Sequence, residues 1–108
     1  MVMTRSFKDT VKDRIMRDEP FRRALLSEAV QLFIEGDLAS GKSVLRDYIN
    51  ATIGFDALSM ATHRPAKSLM RMFAADGNPT ASNLFAVINV LQERTGVQLE
   101  VRASKQAA

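Results

Sequence analysis

The sequence predicts an all-α fold with one short β-strand near its C-terminal end. Apolar residues recur every three or four positions through six separate segments, the spacing of a helix face. Pro20 and Pro65 stand where segments begin, and Gly36, Gly54 and Gly96 where they end, which is how helices are usually punctuated. Only Val97, Gln98, Leu99, Glu100, Val101 and Arg102 alternate strictly between apolar and polar, the period of a strand.

The chain has 108 residues, 46% of them hydrophobic and 25% charged. That suits one soluble globular domain, with no internal repeat and no linker. Absence of Cys excludes a disulfide framework and a Cys-based metal site. The opening MVMTRSFKD lacks the apolar core of a signal peptide, and no apolar run reaches bilayer-spanning length. A cytoplasmic protein with no membrane partner is expected. The net charge of +3 mildly favours an anionic partner. Basic residues are most one-sided over 63–77, where three face a single acid.

Taken in order, residues 6–18 form a helix with Phe7, Val11 and Ile15 as its apolar stripe. Ser6 and Asp9 fit a capping box, and the mixed charges of Lys8, Asp9, Lys12, Asp13, Arg14 and Arg17 form a solvated face. Asp18, Glu19 and Pro20 open a second helix, lined by Phe21, Leu25, Ala29, Leu32 and Phe33 and capped by Gly36. These two helices make an N-terminal extension, residues 1–36, within the same globule. A third helix covers 38–52, with Leu38, Leu45, Tyr48, Ile49 and Thr52 on one face and Gly41 weakening its start.

Residues 36–43 match G-x-x-x-x-G-K-[ST], with Gly36, Gly41, Lys42 and Ser43 at the fixed positions. In a phosphate loop Lys42 would reach phosphates and Ser43 would hold magnesium. Such a loop needs a parallel sheet of βαβ units, and this chain has almost no strand signal. Nucleotide binding at Gly36 to Ser43 is therefore a remote alternative.

Residues 55–62 make a short helix with Phe55, Leu58 and Thr62 inward. The corner falls at His63 and Arg64, because Pro65 disfavours helix before it and is welcome at a helix start. In the next helix Leu69, Met72 and Phe73 point inward, and Lys67, Ser68 and Arg71 outward. A turn at Gly77, Asn78 and Pro79 leads to Thr80, which caps the most apolar helix (Leu84, Phe85, Val87, Ile88, Leu91), with Asn83 as reciprocal cap. The strand over 97–102 has no other strand in the chain to pair with. Its partner is expected to be its own copy in a homodimer. Residues 103–108 form a small polar tail expected to be disordered.

The run LSMATHRPAKSLMRMF over 58–73, with Asn78, Pro79, Thr80 and Leu84, resembles the λ repressor/Cro class of helix-turn-helix proteins. The longer block LRDYINATIGFDALSMAT…KSLMRMF…GNPTASNLFAVI, ending in VQLEV, resembles the HigA-like antitoxins of bacterial addiction modules; so does the opening TRSFKDTVKDRI…FRRALL. The resemblance implies a λ repressor-like five-helix DNA-binding fold, with the helix-turn-helix domain and its C-terminal strand over 37–102 and the helical extension before it. It implies that the second helix of the pair enters the major groove. Base-contacting positions would be Ala66, Lys67, Ser68, Met70 and Arg71, and phosphate contacts would come from Arg64, Asn78 and Thr80. It also implies an antitoxin that binds a cognate toxin and represses their operon. No cofactor, metal or catalytic residue is expected. Two positions depart from the class. Its corner usually holds Gly where this chain has His63, so His63 should be left-handed. Phe55 and Asp56 stand where the class often has a phosphate-bracing Gln, and Asp56 would repel phosphate. The alternative is a protein that binds a toxin or other partner with the same fold and without DNA.

Overall fold

The structure is a computed structural model that describes residues 7–107, the side chain of Lys8 excepted. It is all-α. Among the described residues there are six helices: α1 (Phe7–Arg17), α2 (Glu19–Ile34), α3 (Leu38–Ala51), α4 (Gly54–Thr62), α5 (Ala66–Met72) and α6 (Ala81–Thr95). No helix is long and apolar enough to cross a membrane.

Local chemistry places the helix ends. The Asp18 carboxylate caps α2 by accepting the Phe21 N–H at 3.0 Å. That bond, joined by Arg14 at 3.3 Å, holds the carboxyl below the ordinary carboxylate range. Asp37 caps α3 through the Ser40 N–H, Thr80 caps α6 through the Asn83 N–H, 3.2 Å away, and a left-handed Gly96 ends α6. The capping role expected of Ser6 lies outside the described residues.

One core draws on α2 through α6. Leu26 and Ala29 meet Leu45, Tyr48 and Ile49 of α3, Phe55 and Leu58 of α4, Leu69, Met72 and Phe73 at α5, and Val87, Ile88 and Leu91 of α6. The most extensive helix packing is that of α2 on α3, and Gly41 leaves room for it. A Cβ at Gly41 would sit 3.1 Å from the Phe33 ring. Gly41 thus serves packing, at the helix-propensity penalty the sequence suggests.

Several side chains depart from the expected stripes. Ile15 is buried and Val11 half-buried, but Phe7 is 84% exposed. On α2 the inward row centres on Leu26 and not Leu25. Leu38 is exposed at the start of α3, and Phe85 is 64% exposed on α6. For Phe85 the cause is geometric. The neighbours of α6 cover only one arc of it, so a helix with apolar residues at 84, 85, 87, 88 and 91 must leave one of them outside.

No strand forms among the described residues of this single chain. Residues 97–102, expected as a strand, are irregular because no other segment offers an edge to pair with. Their alternation is still used. Val97 is buried, Leu99 packs against the core, and the Leu99 N–H donates to Gln92 Oε1 at 2.8 Å. Gln98 and Glu100 face outward, and Val101 is 96% exposed. Residues 103–107 are exposed and have no regular structure.

Two polar anchors join the helices. Arg22 donates through Nη1 to the Ile15 and Met16 carbonyls, both at 3.1 Å, and through Nε to the Thr95 carbonyl at 3.2 Å. A single guanidinium therefore serves the C-terminal ends of α1 and α6. Arg22→Ala should lower unfolding free energy by about 2–3 kcal/mol, because it strands part-buried carbonyls of a charge-assisted network. Urea unfolding checks this, and a loss below about 0.5 kcal/mol, the range of plain surface changes, would contradict it.

The second anchor is the fully buried Tyr48. Its hydroxyl lies 2.6 Å from Thr95 Oγ1. The Thr95 hydroxyl spends its only proton on the Leu91 carbonyl at 2.7 Å, so Tyr48 must be the donor. Burial raises the Tyr48 phenol above its ordinary value, and the Thr95 bond opposes this only in part. A raised acid favours the fold while protonated. Its contribution is complete below the unfolded value near pH 10 and is lost as pH climbs through the folded one. Tyr48→Phe should flatten the alkaline arm of the stability–pH curve above about pH 10; an arm of unchanged slope would rule Tyr48 out as its cause.

Candidate nucleic-acid interface

The helices α4 and α5 meet at a corner of three residues. His63 follows Thr62 with φ 57° and ψ 38°, the one left-handed non-glycine residue of the described chain. This is the geometry the His63 departure requires. The Arg64 N–H donates to the Ser59 carbonyl at 3.2 Å, and the Ser59 hydroxyl donates back to the Arg64 carbonyl. Pro65 is extended and precedes the first turn of α5. A left-handed side chain is strained by about 1–2 kcal/mol. His63→Gly should therefore raise stability by about 1 kcal/mol, after allowing for the greater unfolded-state freedom of glycine. A thermal melt reads the effect, and a fall in Tm would contradict it.

Leu69 and Met72 pin α5 from beneath, with Phe73 just beyond its end; all three are buried. The Phe73 ring lies 6.4 Å from that of Phe55, tilted by 51°. On the other side Lys67, Ser68, Met70 and Arg71 are exposed, and Ala66 is half-buried. Among the described residues no ion pair engages Lys67 or Arg71. Their charges are available to an outside anion. Ser68, Arg71, Asn78 and Asn83 line one open concavity of about 380 Å³, together with Met72, Asp76 and Gly77. Asp76 places a carboxylate there, and Asp56 is exposed in the first turn of α4. Both would oppose an anion.

Sequence reasoning missed what holds the loop after α5. Lys42 is only 6% exposed. Its Nζ donates to the Gly77 carbonyl at 2.6 Å and the Ala75 carbonyl at 3.0 Å. One turn later on α3, Arg46 Nη1 donates to the Phe73 carbonyl at 3.1 Å. Thus the phosphate-loop-like match has another role. Residues 36–43 join the end of one helix to the start of the next, with no strand before them. The lysine amine is committed to protein carbonyls, and Ser43 is half-buried within α3. The presence of Lys and Arg at i and i+4 on α3 was the available signal, but their acceptors lie more than 25 residues away.

The three residues expected to contact phosphate are not alike. Asn78 is exposed. Thr80 is exposed too, but its hydroxyl is used in capping α6. Arg64 is half-buried: Nε donates to Asn83 Oδ1 at 2.6 Å and Nη1 to the Thr62 carbonyl at 2.9 Å. The reciprocal cap expected of Asn83 does not form; its side-chain oxygen accepts from Arg64 instead.

No family model, curated protein or solved structure matches this chain.

Proposed function

We propose that this chain is a sequence-specific DNA-binding transcriptional regulator of the λ repressor-like helix-turn-helix class, with α5 as the recognition helix. The observation that carries this reading is the outer face of α5: exposed Lys67, Ser68, Met70 and Arg71, free of ion pairs among the described residues, on a helix anchored by Leu69, Met72 and Phe73. Arg and Lys suit guanine O6 and N7, Ser is a flexible donor or acceptor, and Met70 or Ala66 suits a thymine methyl. Arg64, Asn78 and the α6 start at Thr80 are the proposed phosphate contacts.

One α5 reads half a site. The reading therefore includes a homodimer in which residues 97–102 of two copies pair as strands, setting two recognition helices about 34 Å apart. Exposed Val101 and Phe85 are apolar groups that such an interface could cover. The antitoxin role, with a cognate toxin as partner and an operon as target, rests on the sequence resemblance. Exposed Phe7, Met16 and Ile34 on α1 and α2 suit the toxin-contact surface there.

A second reading, partner binding through the same fold without DNA, is favoured by those apolar side chains and by Asp56 and Asp76. A mobility shift with the DNA upstream of its own coding sequence separates the two. The regulator reading expects binding that weakens steeply with salt and beats an unrelated duplex. Equal binding to both duplexes, or none, would contradict it.

A further inference from the structure

Arg64 is held as a free surface arginine would not be. Its backbone is fixed at both ends by Ser59. Its guanidinium is fixed by two elements, with the Thr62 carbonyl ending α4 and Asn83 in the first turn of α6. Arginine has only donors, so the Asn83 atom that it meets must be the amide oxygen. The two bonds use two of five N–H groups and lock the plane of the fork. Three donors remain, on a half-exposed side chain at the entrance to α5. Asn83 also lines the concavity shared by Ser68, Arg71 and Asn78, and its own N–H is bonded by Thr80.

We propose that Asn83 is a positioning residue for DNA recognition: it aims the Arg64 guanidinium so that its remaining donors meet a backbone phosphate beside the recognition helix. This rests on the DNA-binding reading above. An arginine held only for packing would leave its free donors to water. A pre-aimed one grips phosphate without losing side-chain freedom on binding. Asn83 carries no charge and touches no phosphate itself. Its effect on DNA is exerted through Arg64.

The test is the salt dependence of operator affinity for wild type, Asn83→Ala, Arg64→Met and the double variant, with a thermal melt of each. Asn83→Ala keeps the backbone cap of α6, and Arg64→Met keeps an apolar stem in the corner. The expected result is an affinity loss of about tenfold for Asn83→Ala, the size of one charge-assisted contact. Removing this neutral side chain should also reduce the slope of log affinity against log salt by about one per bound subunit, as Arg64→Met does. The double variant should bind no worse than Arg64→Met alone. An unchanged slope for Asn83→Ala, or additive losses in the double variant, overturns the positioning role and leaves the recognition helix standing. No operator binding by wild type overturns both.

Discussion

Gly77→Ala is expected to lower stability by about 3 kcal/mol, the upper end of overpacking effects. A Cβ at Gly77 would overlap the carbonyl oxygens of Arg71 and Met72. Those are backbone atoms at the end of α5, so no rotamer change relieves the clash. Nor can the loop swing away freely. Lys42 holds the Ala75 and Gly77 carbonyls, and Arg46 holds that of Phe73. For a domain of this size stability is about 5–15 kcal/mol, so the loss takes a large share of it. A fall in Tm of more than about 10 °C should accompany it. A Tm within about 3 °C of wild type, the effect of a mild surface change, would show that α5 and its loop yield more readily than the three α3 bonds suggest. Lys42→Met is the companion change. It keeps the buried stem, strands two carbonyls, and should cost about 2 kcal/mol.

That anchor also explains how so short a helix as α5 keeps its place. The helix α5 has seven residues, too few to be stable alone. Its position comes from three buried side chains beneath it and from cations of α3 behind its C-terminal loop.

Much of this was legible in the sequence, and the remainder has a common cause. Helix positions followed from local signals: Asp18 before α2 and Pro20 in its first turn, Pro65 at the corner, Thr80 and Gly96 bounding α6. The inward residues of α4 and α5 were readable because Phe55 and Leu58, and Leu69 and Met72, recur at helical spacing. On α2 and α6 apolar residues spread over more than one face, so Leu26 over Leu25 and the exposure of Phe85 depend on which neighbour lies where. The roles of Arg22, Lys42 and Arg46 were not legible because their partners are backbone carbonyls, which leave no trace in sequence. The match at residues 36–43 shows the same limit: its residue types are right, but the structure around them is helical. A strand needs a partner edge, and a single chain supplies none to residues 97–102.

We propose above that α5 reads DNA. Lys67 and Arg71 are its two basic residues, both exposed and outside any ion pair among the described residues. A good bidentate base contact is worth about 1–3 kcal/mol of discrimination. Losing both in each half of a dimeric site should lower operator affinity by at least about 100-fold. Both side chains are solvated and bond to no described residue, so stability should move by less than about 0.5 kcal/mol. The most direct measurement is a salt-resolved mobility shift of Lys67→Ala/Arg71→Ala against wild type on the DNA upstream of its own coding sequence. The predicted result is an unchanged melting temperature with a loss of sequence preference and of about 100-fold or more in affinity. Specific binding that survives the double substitution undiminished would contradict the assignment of α5 as the recognition helix.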